Sequence, residues 1–365
     1  MKVVIRVDSS AEIGTGHFMR CLTLANEIGN TGGHCHFISR DLGQHFINLL
    51  ATYNHSFSPL PKSCDTNGKA RKKLSAISKS NAWLPLPSRE DAQQTIKLLN
   101  NNKPDVLLID HYGIDNSWHR ELRPFANKIF VIDDLADRQL DCDLLLNQTF
   151  GMSSEDYMTL LDNQCKQLIG SKYALLRPEF LDLRSKAIEK RNNNTSIHKV
   201  LVFLGGGFHS ANISVVLDTL NQLNWKKKPI IDLILNREDP VISKLNSGDL
   251  SFPFKINLLF NATNVAQLML EADFSIGSAG STSWERCSLG LPSLVSIAAE
   301  NQQNIAANLE NIGAIYLWKT VEELKTVATK LIASGRLLKQ MSTSAFKVCD
   351  GLGVQRVVTC LKEFI

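Results

Sequence analysis

Short, unbroken apolar runs that close on an aspartate constrain this chain more than any other feature. Val106-Leu107-Leu108-Ile109 runs into Asp110, and Ile129-Phe130-Val131-Ile132 runs into Asp133. Leu144-Leu145-Leu146 is a further run of the same kind. A strand with one wet face alternates apolar and polar residues, whereas a strand covered on both faces does not. Here the covered type alternates with stretches of helical periodicity, which is the βαβ rhythm of a parallel sheet. Val3 to Val7 and Cys35 to Ser39 read as two more strands. Between them Phe18, Cys21, Leu22, Ala25 and Ile28 recur at helical spacing, from the glycine turn Ile13-Gly14-Thr15-Gly16-His17 to a stop at Gly32-Gly33.

The rhythm then starts a second time. Residues 184–198 read as the end of a charged helix followed by a polar, aperiodic linker around Arg191-Asn192-Asn193-Asn194. Val200 to Leu204 follows as a strand, Gly205-Gly206-Gly207 as a tight turn, and a helix from about Asn212. Ile230 to Leu235, Phe274 to Ile276 and Ser293 to Ile297 read as further strands. Gly277 to Ser283 is a second small-residue turn that leads into a helix ended by Gly290 and Pro292. At roughly 150 residues per domain, 365 residues make two domains. The expected fold class is α/β, with two doubly wound Rossmann-like domains facing across a cleft. The expected boundaries are 1–185, a linker at 186–198, 199–345, and a terminal helix in 346–365 that returns to the first domain.

Composition excludes several classes. With 44% apolar and 21% charged residues the chain is an ordinary globular protein, neither disordered nor fibrous. No apolar run reaches the roughly 18 to 20 residues of a membrane span. A net charge of +4 is weak for nucleic-acid binding but suits an anionic small molecule. The basic cluster Lys69, Arg71, Lys72 and Lys73 has no interleaved aromatics and reads as a solvated loop. The eight cysteines contain no C-x-x-C pair, so a zinc knuckle and thioredoxin chemistry are not expected. In His34-Cys35-His36 the histidines share one strand face and the cysteine takes the other, which argues against a metal site. Lys2-Val3-Val4-Ile5 begins a strand rather than a signal peptide, so a cytoplasmic location with reduced thiols is expected.

Ligands in doubly wound sheets sit just beyond the carboxyl ends of the strands, where helix N-termini offer free N–H groups that favour phosphate. Gly14-Thr15-Gly16-His17 falls at such a position. Met19 stands where the dinucleotide fingerprint needs its last glycine, so NAD binding is disfavoured. The positive helix end favours the neutral imidazole of His17, the form a general base needs. The alternative is a capping or packing histidine. Gly280-Ser281-Thr282-Ser283 supplies N–H and hydroxyl donors for phosphate, and Glu285, one turn on, is placed to accept from ribose hydroxyls or simply to complement the helix dipole. The amide run Asn301-Gln302-Gln303-Asn304 is suited to sugar hydroxyls and acetamido groups. One side chain of Asp110-His111-Tyr112 would hold His17 or the attacking water. Asp133-Asp134 would bind a metal or cap the next turn, and the turn is favoured.

Taken together, Arg6-x-Asp8-Ser9-Ser10-x-x-Ile13-Gly14-x-Gly16-His17-x-x-Arg20 and Ile109-Asp110-His111-Tyr112-Gly113-Ile114 resemble the UDP-sugar hydrolases of pseudaminic acid biosynthesis, which act on UDP-2,4-diacetamido-2,4,6-trideoxy-β-L-altropyranose. Val131 to Asp134, Tyr173 to Arg177, Gly205 to Gly207 and Asn301-Gln302 extend the likeness to about residue 315. That family is similar in fold to GT-B glycosyltransferases such as the N-acetylglucosaminyltransferase that forms lipid II. The resemblance implies hydrolysis at the anomeric carbon with inversion, giving UDP and the free sugar. It implies His17 as the base, with Tyr112 and Asn301 beside the sugar. It places Glu285 on the ribose and Ser281, Thr282 and Ser283 on the diphosphate. Further substrate contacts are implied at Arg6, Asp8, Gly14, Thr15 and Gly16, and at Arg177, Gly205, Gly206 and Gln302. No cofactor, metal, nucleic acid or membrane insertion is expected, and the chain is expected to be a monomer. Two alternatives remain: a GT-B transferase with a hydroxyl acceptor, and a nucleotide-sugar-binding protein without activity.

Overall fold

A computed structural model describes residues 1–9, 14–40, 42–62, 83–99, 103–193, 196–205, 210–260 and 262–365. The chain divides into two compact units, Met1–Leu175 with Leu352–Ile365, and Leu176–Gly351.

The first unit is a seven-stranded sheet: β1 (Lys2–Val7), β2 (His34–Ser39), β3 (Ser56–Pro59), β4 (Val106–Asp110), β5 (Lys128–Ile132), β6 (Leu144–Asn147) and β7 (Lys166–Ile169). Its order is β3-β2-β1-β4-β5-β6-β7, and every pair is parallel. The second unit has six strands: β8 (Lys199–Phe203), β9 (Ile230–Leu235), β10 (Ile256–Phe260), β11 (Phe274–Ser278), β12 (Ser293–Ser296) and β13 (Ile315–Leu317). Its order, β10-β9-β8-β11-β12-β13, is again all parallel.

The unbroken apolar runs have the cause the sequence pointed to. Successive residues of β1 and β4 point to opposite faces, and both faces are covered. Val3, Ile5, Val7 and Leu108 pack with Phe18 and Leu24 of the helix Gly16–Asn30. Val4, Leu107 and Ile109 pack on the other side with Trp118 and Leu122. Each sheet reverses its winding direction once, between β1 and β4 and between β8 and β11. At such a reversal the connecting segments part, and the carboxyl ends of the two central strands are left open to a ligand. The register pairs Val7 with Asp110, so Asp8 and the residues after Asp110 lie at that opening in the first unit.

Two features differ from the sequence reading. Residues 184–193 do not lead into a free linker. They form a helix tied into the second unit. Buried Arg191 donates to the carbonyls of Ala272 (2.5 Å) and Met269 (2.8 Å), and Lys190 pairs with Asp273 at 3.1 Å. The change of unit falls at 175/176, ten residues before the expected boundary. The terminal helix Gly353–Phe364 belongs to the first unit and buries Val354, Val357, Val358 and Leu361 in its core. Gly353 makes that docking possible, because a Cβ there would overlap the carbonyl of Ala174. Among the described residues no helix is long and apolar enough to cross a membrane.

One buried group gives the fold an acid sensitivity. His119 is fully buried, and its Nδ1 accepts from the Asp141 N–H at 3.2 Å. Burial, aided by Arg138, pushes its pKa down to about 3. The unfolded chain takes up this proton near the ordinary value of about 6.5, and the native state does not. Stability from the neutral ring is therefore complete above about pH 6.5 and is lost as pH falls toward 3. At about 1.4 kcal/mol per unit, the loss amounts to a few kcal/mol. Thermal unfolding followed from pH 7 to 4 should fall more steeply for the wild type than for His119→Gln. Parallel curves would show that the ring is not the sensitive group.

Candidate functional site

The helix Gly16–Asn30 starts directly after β1, and its first turn carries neither a side-chain cap nor an acidic residue. Gly14 adopts φ +81°, a left-handed conformation that glycine takes without strain. Ser9 Oγ donates to the Gly14 carbonyl at 3.2 Å and so closes the approach to the helix. Thr15 is the N-cap residue, and its carbonyl accepts from Met19. His17 and Arg20 lie three residues apart, hence on one helix face, and that face is turned to the end of β4.

Asp110 terminates β4 and receives both side chains. Arg20 spans the carboxylate, with Nε 2.6 Å from Oδ2 and Nη2 2.7 Å from Oδ1. His17 Nδ1 lies 2.6 Å from Oδ1. Burial alone would raise the pKa of Asp110, but the guanidinium of Arg20 and the imidazole of His17 hold it well below the usual carboxylate range. Against an ionised carboxylate at that distance Nδ1 carries the proton. Arg20 Nη2 passes 3.3 Å from the same nitrogen, too far to compete. The lone pair therefore falls on Nε2, which has no hydrogen-bond partner among the described residues, and 10% of the imidazole side chain is exposed. Tyr112 sets its ring edge-on to His17, with centroids 4.4 Å apart at 83°, and its hydroxyl donates to Asp134 at 3.0 Å. Asp134 also receives Arg20 Nη1 at 2.5 Å. His17, Arg20, Asp110, Tyr112 and Asp134 thus form one connected group at the β1–β4 reversal.

Arg6 and Asp8 sit beneath it. Arg6 is fully buried and is divided between Asp8 (2.5 Å) and Asp91 (2.9 Å), which leaves no face for a ligand. Asp8 further accepts from Ser39 Oγ and the Arg40 N–H. His111 Nδ1 accepts from the Gly113 N–H, so its other nitrogen carries the proton that faces Asp8 at 3.3 Å. Asp133 is absorbed into the chain's own turn. It accepts from the N–H groups of Leu135 and Ala136, from Arg138 and from the Tyr157 hydroxyl. Among the described residues no group of three or more His, Cys, Asp or Glu side chains is placed to hold a metal ion. Cys35 is a buried free thiol whose pKa burial pushes up to about 12. His34, on the same strand, is exposed.

The second unit gathers the other expected positions at its own reversal. Gly205 follows β8 with φ +114°. Gly206 and the basic cluster at 69–73 lie outside the described residues. Gly280 and Ser281 follow β11, and Thr282 and Ser283 open the helix Thr282–Ser288, again without a side-chain cap. Arg286 turns back beneath this loop and donates to the Ser278 carbonyl (2.6 Å) and Ser283 Oγ (3.2 Å). Gly277 gives it room, since a Cβ there would press on the guanidinium. Glu285 keeps 19% of its side chain exposed and stands 3.5 Å from Arg177. Burial pushes its carboxyl pKa up, against the pull of Arg177. Asn301 and Gln302 occupy a single 3-10 turn beyond β12, where Gln302 accepts from the Ala298 N–H.

Sequence reasoning named His17, Tyr112 and Glu285 but did not assign Arg20 and Asp134 to the site. The signal was present for Arg20 in its i+3 spacing from His17. For Asp134 it was hidden by the adjacent Asp133, since only the fold separates a turn carboxylate from one that receives Arg20 and Tyr112.

No protein-family model matches the chain. An uncharacterised protein of Methanocaldococcus jannaschii is 27% identical over 308 residues, which span 83% of this chain and 57% of that protein. The UDP-2,4-diacetamido-2,4,6-trideoxy-β-L-altropyranose hydrolase of Campylobacter jejuni is 27% identical over 286 residues, 77% of this chain and 86% of the relative. The crystal structure of Acinetobacter baumannii MurG aligns over 100% of both chains with a TM-score of 0.65 and 16% identity. The chain has a GT-B-like fold and is distantly similar to a UDP-sugar hydrolase.

Proposed function

We propose that the protein hydrolyses the anomeric C–O bond of a UDP-sugar with inversion, and that the sugar is 2,4-diacetamido-2,4,6-trideoxy-β-L-altropyranose. The observation that carries this reading is the His17–Asp110 pair. A carboxylate fixes the imidazole tautomer, and a lone pair on Nε2 is left at the open end of the sheet. The similarity to the Campylobacter jejuni hydrolase supports the choice of substrate.

In this mechanism Nε2 takes a proton from water as the water oxygen bonds to the anomeric carbon. The bond from that carbon to the phosphate oxygen breaks, and its electron pair leaves with UDP. UDP is a stable anion, so one base suffices where most glycosidases use two carboxylates. Tyr112 and Asn301 are assigned to the sugar. The nucleotide is assigned to the N–H and hydroxyl groups of Ser281, Thr282 and Ser283, with Glu285 on the ribose. A carboxylate accepting from both ribose hydroxyls contributes a charge-assisted pair of hydrogen bonds, so Glu285→Gln should weaken UDP binding about ten- to a hundredfold. Titration calorimetry with UDP checks this, and unchanged affinity would remove Glu285 from the site.

The deciding experiment is incubation with the UDP-sugar in ¹⁸O water, followed by NMR before the sugar mutarotates. Inverted sugar carrying the label, with unlabelled UDP, is the expected result. Label in UDP would mean attack at phosphorus. UDP release that requires an added sugar or lipid hydroxyl would mean a transferase.

A further inference from the structure

We propose that Asp134 is a positioning residue whose charge readies His17 to accept a proton, acting through Arg20 and Tyr112; this rests on the reading of His17 as the base. The argument is one of charge and placement. The imidazole contacts one carboxylate, Asp110, and one guanidinium, Arg20, joins Asp110 to a second carboxylate, Asp134. With His17 neutral the group carries one excess negative charge, and with His17 protonated it is balanced. A site built only to hold the ring in its tautomer needs Asp110 alone. Asp134 adds no contact to His17 itself. Its Oδ2 accepts from both Arg20 and Tyr112, and its Oδ1 is buried with no hydrogen-bond partner among the described residues. An unpaired carboxylate oxygen in the interior is costly, so its place behind Arg20 and Tyr112, both of which touch the imidazole, calls for a compensating charge, which the imidazolium supplies. The same carboxylate holds the Tyr112 hydroxyl, and Tyr112 in turn sets its ring edge-on to His17.

The other ionisable groups around Asp134 and His17 do not alter this count. Cys21 from the same helix donates its thiol to Asp110 at 3.4 Å, and burial pushes the pKa of that thiol up, so it stays uncharged. Tyr157 donates to Asp133, and Asp133 is balanced by Arg138. Asp8 faces His111 and is matched by Arg6.

The test is the titration of the His17 ring, read by NMR of the full-length protein from its carbon-bound proton and assigned with His17→Asn. Asp134→Asn keeps an acceptor for Arg20 and Tyr112 and removes the charge. It should move the His17 midpoint down by roughly half a pH unit, the effect of one charge that acts from beyond Arg20 and Tyr112. The acid limb of kcat/KM for the UDP-sugar should shift by the same amount, with kcat reduced and KM little changed. Asp134→Glu should restore both. Should the amide variant fail to fold, Asp134→Ser is read in its place. A folded variant whose His17 midpoint matches wild type would overturn the proposal. Wild-type protein that releases no UDP from any UDP-sugar would instead overturn the hydrolase reading, and the ring titration would still decide the role of Asp134.

Discussion

His17→Ala is expected to lower the turnover of the UDP-sugar by about 10²- to 10⁴-fold, the usual worth of one positioned general base. That range corresponds to about 3 to 5.5 kcal/mol of transition-state stabilisation. The loss should fall on kcat and leave KM nearly unchanged, because the proposed partner of Nε2 is the attacking water and not the nucleotide. The side chain is largely buried, and its removal empties a space bounded by Asp110 and the Tyr112 ring. A small exogenous base such as imidazole should fit that space and recover part of the rate. Continuous measurement of UDP release checks both. A variant that turns over at near wild-type rate would end the assignment of His17 as base, whatever the fate of the substrate assignment.

The sequence and the fold agree most closely in the middle of each sheet. β1, β2, β4, β5 and β6 of the first unit, and β8, β9, β11 and β12 of the second, were all legible as strands. Most are covered on both faces, so their residues are apolar with little alternation; β2 is the exception, with His34 and His36 on its wetter face. The four strands that went unread, β3, β7, β10 and β13, are the four sheet edges. Ser56–Pro59 is half-exposed along its length, and every residue of β10 is only partly buried. An edge strand needs less apolar covering, is often short, and gives no signal distinct from a loop. The charged helix at 184–193 misled for a related reason. It has almost no apolar face, because it is tied down by Arg191 and Lys190 on backbone carbonyls and on Asp273. Polar docking of that kind leaves no hydrophobic period to read.

The site divides along the same line. A glycine turn followed by histidine, and aspartates at strand ends, are local patterns, and they placed His17 and Asp110 at one sheet edge. Arg6 and Asp8 belong to the same sequence motif, but the fold uses them differently. They form the floor of the site through Asp91, Arg40 and Ser39, residues that are distant in the chain. Such buried ion networks depend on pairings between strands and helices that no spacing rule reveals. A fully buried arginine held between two carboxylates fixes the strand ends on which the imidazole pair depends.

Asp110→Asn is expected to cost about as much as loss of the base itself, roughly 10²- to 10⁴-fold in kcat. A histidine whose Nδ1–H loses its carboxylate loses both its tautomer and the charge that stabilises its protonated form, and in serine proteases that change costs about 10⁴-fold. The substitution acts on two partners here. Asparagine offers one acceptor and one amide donor where Asp110 offers four lone-pair positions, and Arg20 spans both oxygens. If the amide oxygen stays with Arg20, the amide N–H₂ faces His17 Nδ1, and the ring must present Nδ1 as acceptor and put its proton on Nε2. The proton then occupies the position from which water would be deprotonated. The variant should therefore bind UDP as wild type does, since Glu285 and the 281–283 turn belong to the other unit, while the step after binding nearly stops. Nitrogen-15 NMR of the imidazole reads the tautomer directly. The expected spectrum shows protonation moved from Nδ1 to Nε2 together with the fall in rate. Loss of rate with the tautomer unchanged would assign Asp110 to charge stabilisation alone, and retention of both rate and tautomer would exclude it as the partner of the base.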